Sequence, residues 1–222
     1  MVGSYLKYLW QRKSEYSIHS PFVFDFVTKV LNDRGSNLDY DTILRIGRLL
    51  DKRKHIPYGK RKRSRLLYRV IRHYEPESVV SFGSITALNA TALALGNLQT
   101  KVYLEQSEDF LETLNAMGVI NVRLIQPAEF DSEHFRQLNT GFVFFGRDSF
   151  EEDTWDYLTD CLSYKTSDSV FIFEDIHHNR DMEDAWEEIK ANEDVTVTFD
   201  LYRFGMIFFH EGIEKQDFVL KY

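Results

Sequence analysis

At 222 residues, with 43% hydrophobic residues and only 4 prolines, the chain has the composition of a globular protein that can bury one sizeable core. It contains no run of about 18 apolar residues, and its start, MVGSYLKYLWQRK, lacks the apolar core of a signal peptide, so we expect neither a membrane span nor secretion. The single cysteine, Cys161, excludes an internal disulfide and favours a reducing, cytoplasmic location.

The net charge of −8 is distributed unevenly along the chain. Residues 1–74 contain 17 Lys and Arg against 6 Asp and Glu, whereas residues 75–222 contain 10 against 29. This contrast predicts a basic N-terminal extension (1–74) and an acidic domain (75–222). A basic extension can bind an anionic partner, or it can face the acidic domain or be solvated, and we favour the second interpretation.

The spacing of apolar residues in the extension predicts helices over 4–13, 21–32 and 40–53. The second of these helices begins with Ser20 as its N-cap and Pro21 as its first helical residue. Residues 52–65, KRKHIPYGKRKRSR, hold eight Lys or Arg in fourteen positions. As a nucleic-acid patch this segment would contact phosphates, but it lacks interleaved aromatic residues. The pattern therefore favours a solvated loop that leads into a helix from Leu66 to Tyr74.

From Ser78 onward, strands and helices alternate. Short apolar runs predict strands near 79–82, 101–104, 122–125, 141–145 and 169–173, and the amphipathic stretches between and after them predict helices near 86–95, 108–117, 132–138, 151–163 and 180–191. Two further strands, 195–200 and 205–210, follow without a helix between them and predict an antiparallel hairpin, with a last short strand near 218–220 at the edge. The fold class is therefore α/β, with a doubly wound, mostly parallel sheet of seven strands.

One βαβ unit, residues 78–105, has the layout of a nucleotide site. Gly83-Ser84 follows the first strand and precedes a helix, where a tight turn lets backbone approach a ligand. Glu105 ends the second strand, about 20 residues beyond the glycine, where an acid binds ribose hydroxyls. The glycine series is incomplete, so a plain tight turn and an ordinary strand-end acid remain alternatives.

A second group of candidates follows the fifth strand. Asp175 in the pair Glu174-Asp175 has the chemistry of a metal ligand or general base, or of a helix cap. His177 and His178 are candidate acid–base groups because histidine titrates near neutral pH. Cys161 lies on a predicted helix and is expected to be a packed core residue.

These features together resemble the class I S-adenosylmethionine (SAM)-dependent methyltransferases. The 78–105 unit is similar to that family's first motif, and the five β/α repeats closed by a hairpin match its layout. The segment 174–177, and the N-terminal His-Ser-Pro-Phe at 19–22, resemble a small bacterial subgroup related to catechol-O-methyltransferase-type enzymes. The resemblance covers nearly the whole chain.

The resemblance implies a Rossmann-like methyltransferase domain that transfers a methyl group to the oxygen of a small molecule, with SAM as cofactor. It implies cofactor-binding roles for Gly83, Ser84, Glu105 and Glu129, and it places the catalytic candidates Asp175 and His177 near the acceptor. Whether a divalent metal takes part is left open, and a homodimer is compatible with the sequence.

Three positions depart from the family pattern. Ser81 stands where the family has an acid for the amino group of SAM, Ala87 replaces a glycine, and Gly146, followed by Arg147-Asp148, replaces a catalytic or metal-binding aspartate. These departures predict weak SAM binding. They also support an alternative, a catalytically degenerate fold with a binding or scaffold role. An RNA-binding protein or RNA methyltransferase that uses 52–65 ranks below both.

Overall fold

The computed structural model describes residues 2–12, 20–33, 38–50, 57–125, 141–147 and 152–222. Its helices are α1 (Val2–Gln11), α2 (Pro21–Phe26, continued by a π-helical turn Val27–Leu31), α3 (Leu38–Leu50), α4 (Tyr58–Tyr74), α5 (Ala87–Gly96), α6 (Glu108–Ala116), α7 (Glu152–Tyr164) and α8 (Arg180–Ala191). Its strands are β1 (Ser78–Phe82), β2 (Lys101–Leu104), β3 (Val122–Leu124), β4 (Phe142–Phe145), β5 (Val170–Glu174), β6 (Val197–Asp200), β7 (Phe204–Phe208) and β8 (Gln216–Val219).

The described strands form one sheet of eight strands in the order β3-β2-β1-β4-β5-β7-β6-β8. Strands β1 to β5 pair in parallel, and β7 runs antiparallel to both β5 and β6. The predicted fold class is confirmed, with β8 added in parallel beside β6 as the edge strand. Because β6 runs in the same direction as β1 to β5, the carboxyl ends of all six strands meet at one edge of the sheet.

Both faces of the sheet are covered. Alternate residues of β4 point to opposite sides, since Phe142 and Phe144 belong to one buried cluster and Val143 and Phe145 to another. The first cluster includes side chains of α2 to α6, and the second includes side chains of α7 and α8, among them Cys161. Strands buried on both faces explain the continuous apolar runs in the sequence.

The N-terminal helices share the first of these clusters, because Val23 and Ile43 pack in the same core as Val79. Helix α1 is tied to the C-terminus by a hydrogen bond of 2.7 Å that the Tyr8 hydroxyl donates to the carbonyl oxygen of Leu220. The division at residue 74 stays a prediction, although the core is continuous across it. Among the described helices, none is long and apolar enough to cross a bilayer.

One local prediction is wrong. Residues 58–65 are not a loop but the first two turns of α4, which begins directly after Pro57. Proline tolerates a helix start, and Lys and Arg are good helix formers, so the basic run extends the helix that was expected only from Leu66. The predicted helix 132–138, Glu129 and residues 52–56 lie outside the described part of the chain.

Candidate active site at the carboxyl edge of the sheet

The turn after β1 has the geometry of a ligand-binding glycine turn. Gly83 has a φ of +70°, a left-handed conformation that glycine adopts without steric cost. Helix α5 then begins at Ala87, where the side chain of Thr86 accepts a hydrogen bond of 3.2 Å from the amide of Asn89. The turn therefore leads into a capped helix N-terminus, whose backbone N–H groups favour polar and anionic ligands.

The acid predicted to bind ribose lies at the same edge. Strand β2 pairs in parallel with β1, and Glu105 directly follows β2 and is exposed to solvent. The next side chain, Gln106, donates a hydrogen bond of 3.0 Å to the carbonyl oxygen of Ile85 in the turn. This contact joins the end of β2 to the turn, so Gly83 and Glu105 line one edge, while their role in cofactor binding stays a prediction.

Ser81 lies within β1, where the resemblance expects an acid. Its side chain is completely buried, and its Oγ has no hydrogen-bond partner among the described residues. An unsatisfied buried hydroxyl costs about 1–3 kcal/mol. The Oγ is therefore a buried polar atom, without a hydrogen-bond partner in the described part of the chain, at the position where the resemblance expects an acid.

The turn also covers Gly146, where the resemblance expects an aspartate. The amide of Gly146 donates a hydrogen bond of 2.9 Å to the carbonyl oxygen of Phe82. A Cβ on Gly146 would overlap the carbonyl oxygen of Ser84 and lie 2.8 Å from its carbonyl carbon. The backbone of Ser84 therefore fills the space that any side chain at position 146 would need.

Three arginines converge on Asp175, the residue that follows β5. Arg203 Nη1 donates to Oδ1 at 3.0 Å, Arg63 Nη1 lies 3.3 Å from both oxygens, and Arg147 donates to Oδ2 from Nε at 2.9 Å and also from Nη2. We call these three guanidinium groups, with Glu174 and Asp175, the arginine cluster. The arginines come from α4, from the loop after β4 and from the β6–β7 turn, so the fold assembles the cluster from distant segments.

Asp175 is ionised in this setting. Burial acts to raise its pKa, but the hydrogen bonds and charges of Arg147, Arg63 and Arg203 outweigh burial and hold the pKa below its ordinary value. Its side chain is 0% exposed and both of its oxygens accept hydrogen bonds. A carboxylate with a low pKa and occupied oxygens is poorly suited to be a general base or metal ligand.

The pKa of its neighbour Glu174 is shifted in the opposite direction. Burial raises the pKa of Glu174 to about 7, and the charge of Asp175 adds to the rise while Arg63, Arg147 and Asn89 oppose it. The amide of Asn89 donates to Oε1 at 3.0 Å, and Arg63 lies 3.4 Å from the same oxygen. Glu174 therefore links β5 to helix α5 and changes its charge near neutral pH.

His177 belongs to a different group of side chains. Its Nε2 lies 2.8 Å from Asp200 Oδ2, its Nδ1 lies 3.2 Å from Glu183, and its ring stacks on Tyr202. Burial acts to lower the pKa of His177, but the hydrogen bonds and charges of the two carboxylates outweigh it and raise the pKa. Among the described residues, the hydrogen-bond partners of His177 do not include Asp175, so the two predicted catalytic residues are not brought together, and a catalytic role for either stays a prediction.

Comparison with known proteins identifies the fold. No protein-family model and no curated protein matches the sequence. The SAH-bound methyltransferase PaMTH1 of Podospora anserina matches with a TM-score of 0.57 at 12% identity, over 87% of this chain and 98% of its own. The O-methyltransferase of Bacillus cereus in complex with SAH gives 0.53 at 13%, over 84% and 97%. A methyltransferase from Geobacter sulfurreducens gives 0.54 at 14%, over 87% and 98%.

The chain has the methyltransferase fold. At these identities the likeness establishes the fold alone, and it confirms the architecture that the sequence resemblance implied. The positions of Gly83, Glu105 and the arginine cluster at the carboxyl edge are those at which open α/β sheets bind ligands.

The arginine cluster was not predicted from the sequence. Arg63 belongs to a segment interpreted as a solvated loop, Arg147 directly follows Gly146, and Arg203 lies in a hairpin turn. The one signal in the sequence is the charge contrast, because the favoured interpretation was a basic extension that faces the acidic domain or is solvated. Among the described residues, no group of three or more His, Cys, Asp and Glu side chains is arranged to hold a metal ion.

The pKa of Glu174 predicts a pH-dependent stability. Between the ordinary value of 4.5 and the folded value of about 7, the folded state keeps a proton that the unfolded state has lost, so the free energy of unfolding falls as pH rises through this window. We expect Glu174→Gln to be more stable than the wild type at pH 8, by about 2–3 kcal/mol, and to have a flatter profile from pH 4.5 to 7. Urea unfolding at several pH values measures both quantities.

The matched control for this prediction is Glu188→Gln, because Glu188 is exposed on α8. Its unfolding profile should follow that of the wild type, including the contribution that His177 makes in the same direction. Identical profiles for the wild type and Glu174→Gln would show that Glu174 is ionised in the folded protein at neutral pH.

Proposed function

We propose that this chain binds SAM at the carboxyl ends of β1 and β2 and transfers a methyl group to the oxygen of a small molecule held beside β5. The observation that carries the proposal is the pairing of the left-handed Gly83 turn with the exposed acid Glu105 on the neighbouring strand. Two of the similar structures were solved with SAH, the product that remains after SAM has lost its methyl group.

The residues at this edge fit the nucleoside part of SAM. The Gly83 turn allows close backbone approach, and the carboxylate of Glu105 accepts hydrogen bonds from ribose hydroxyls. Ser81 offers only a neutral hydroxyl for the amino group, where a carboxylate would make a stronger, charge-assisted hydrogen bond. The loss of such a bond costs about 1.5–3 kcal/mol, or about 10- to 100-fold in affinity, so we expect weak binding.

The chain's own groups suggest how the acceptor is activated. When bound, SAM supplies a methyl group activated by its sulfonium, so that positioning provides much of the acceleration. The side chains of Arg147 and Arg203 are 45% and 49% exposed, and their positive charges would stabilise the oxyanion of an acceptor hydroxyl and lower its pKa. We assign Asp175 the role of a positioning residue that holds both guanidinium groups in place.

The test of cofactor binding is a calorimetric titration with SAH. The wild type should bind weakly, and Glu105→Ala should reduce the affinity by about tenfold or more, because the ribose hydroxyls lose a charged acceptor. Glu112→Ala is the control, since Glu112 is exposed on α6, and it should leave the affinity unchanged. Equal effects of the two substitutions would contradict the proposed site, and low-micromolar binding by the wild type would contradict the expected weak affinity.

One observation favours a second function, ligand binding without turnover. The backbone of Ser84 covers Gly146, so the turn stands where the resemblance places a catalytic carboxylate. In that case SAH would bind as described, but no methyl transfer would be found with any acceptor that fills the site beside β5.

Nucleic acid remains the least favoured partner. In α4, Arg63 is already paired with Asp175 and Glu174, and the acidic domain opposes phosphate. The expected small-molecule acceptor, the cytoplasmic location and a homodimer stay predictions.

A further inference from the structure

A cavity lies beside the arginine cluster, between α1, the start of α4 and the β6–β7 turn. Its volume is about 540 Å³, within the range of about 300–1,000 Å³ that is usual for small-molecule sites. We call it the tyrosine cavity, after the four tyrosines in its lining, Tyr5, Tyr8, Tyr202 and Tyr222. It is continuous with the cluster because Arg63 and Arg203 line it as well.

The charged side chains that line the cavity are all cations. Arg12 and Lys62 join Arg63 and Arg203, and no acidic side chain is among its described lining residues. Arg12, Lys62 and Arg63 belong to the basic extension, and Arg203 belongs to the acidic domain. Cavities lined by charges of one sign raise the local concentration of ligands of the opposite sign.

Asp175 and Glu174 do not neutralise this charge. The arginine cluster contains three guanidinium groups against Asp175, which is ionised, and Glu174, whose pKa is about 7. The cluster therefore keeps a positive charge of about one to two at neutral pH. Arg203 is 49% exposed and lines the cavity, so it has N–H groups available for a ligand.

Lys62 adds to this excess. Burial lowers the pKa of Lys62, and the charges of Arg69 and Lys221 lower it further. Its ammonium lies over the ring of Tyr222, 4.1 Å from the centroid. The group is thus held among like charges, a repulsion that a bound anion would relieve.

The tyrosines form a fixed aromatic wall. The ring centroid of Tyr202 lies 4.9 Å from that of Tyr5 and 5.2 Å from that of Tyr8. The Tyr8 and Tyr222 hydroxyls donate to the carbonyl oxygens of Leu220 and Lys62, each at 2.7 Å. Since these hydroxyls are engaged within the protein, Tyr8 and Tyr222 present mainly apolar ring surface, which suits a planar ligand.

The backbone at this wall is strained in two places. Asp175 and Tyr202 have φ values of +58° and +66°, a region that non-glycine residues rarely adopt. The two are joined, because the amide of Asp175 donates a 2.6 Å hydrogen bond to the carbonyl oxygen of Arg203. Strain of this kind persists where the surrounding structure enforces it, most often at ligand sites.

We propose that the tyrosine cavity binds a small aromatic ligand through one oxyanion group, with the anion on Lys62 and Arg203 and the ring against the tyrosines. The inference rests on the proposed function in one respect, that this ligand is the methyl acceptor. In this arrangement Arg203 holds the anionic group, and Arg147 is the cation left to stabilise the oxyanion of the acceptor's hydroxyl.

The test compares two probes of similar shape, the anionic 4-hydroxybenzoate and the neutral 4-hydroxybenzamide, by calorimetric titration of the full chain without SAM. The benzoate should bind about tenfold or more tightly than the amide, since charge-assisted hydrogen bonds are lost with the amide. The ratio of the two affinities should decrease as salt is added, because the cations are partly exposed. Lys62→Gln and Arg203→Gln should each remove most of the difference in affinity between the benzoate and the amide.

The control is Arg45→Gln, because Arg45 is exposed on α3 and does not line the cavity. Lys62→Gln keeps the test valid if the loss of the Arg203–Asp175 contact unfolds the other variant. Equal affinities for the two probes, no detectable binding of the benzoate, or an equal loss in Arg45→Gln would overturn the proposal. Because SAM is absent from this titration, its outcome is separate from that of the SAH titration.

Discussion

Asp175→Asn is expected to lower the free energy of unfolding by about 3 kcal/mol, the low end of the range for removing one partner of a buried ion pair. The substitution preserves the shape of the side chain, and asparagine adopts the left-handed backbone of this position, φ +58°, at least as readily as aspartate. The loss therefore reports the missing charge. We choose the low end because Arg147 and Arg203 are half exposed and can be hydrated.

Thermal unfolding measures this loss as a decrease in Tm of about 6–12 °C for a chain of this length. The control is Asp184→Asn, whose ion pair with Arg180 joins side chains that are 73% and 91% exposed and should contribute less than about 0.5 kcal/mol. If both substitutions had the same small effect, Asp175 would not hold the three arginines together, and its role as a positioning residue would be lost.

Gly146→Ala is expected to destabilise the protein by about 2–3 kcal/mol, a large penalty for adding a single methyl group. The new Cβ would overlap the carbonyl oxygen of Ser84, a backbone atom that cannot rotate away as a side chain does. To accommodate it, the Gly83 turn must shift, and with it the junction to Gln106 at the end of β2. Chemical denaturation measures the loss.

Gly3→Ala is the matched control for this substitution, because no atom lies within 4 Å of a Cβ built on Gly3. It should leave stability unchanged or raise it slightly, since alanine favours the helix. If Gly146→Ala were equally harmless, the turn would move freely away from position 146. An aspartate there would then be compatible with the fold, and the case for a departure from the family's catalytic arrangement would weaken.

The fold was predictable because its signals are local. Residues 170–173 of β5 are apolar throughout, as a strand buried on both faces requires, and Ser20 and Pro21 mark the start of α2. The start of α4 was missed because a Pro-Tyr-Gly sequence followed by basic residues has the composition of a loop, whereas the buried face that holds it as a helix comes from tertiary packing.

The candidate site was predictable only in part. Gly83 and Glu105 follow from their positions in one βαβ unit. The contact of Arg63 with Asp175 joins residues 112 positions apart. The local sequence around Arg63 does not reveal Asp175 as its partner, and the local sequence around Asp175 does not reveal that this side chain is buried. The lack of space for a side chain at Gly146 is also invisible in the sequence, because it depends on how closely the ends of β1 and β4 approach each other.

The most direct test of the proposed site is a crystal structure of the protein soaked with SAH and a divalent metal salt. We predict that the ribose hydroxyls lie within hydrogen-bond distance of the Glu105 carboxylate, with the adenosine beside the Gly83 turn. Asp175 should remain paired with Arg63, Arg147 and Arg203. SAH bound away from β1 and β2, or a metal ion that displaces these arginines from Asp175, would contradict the account.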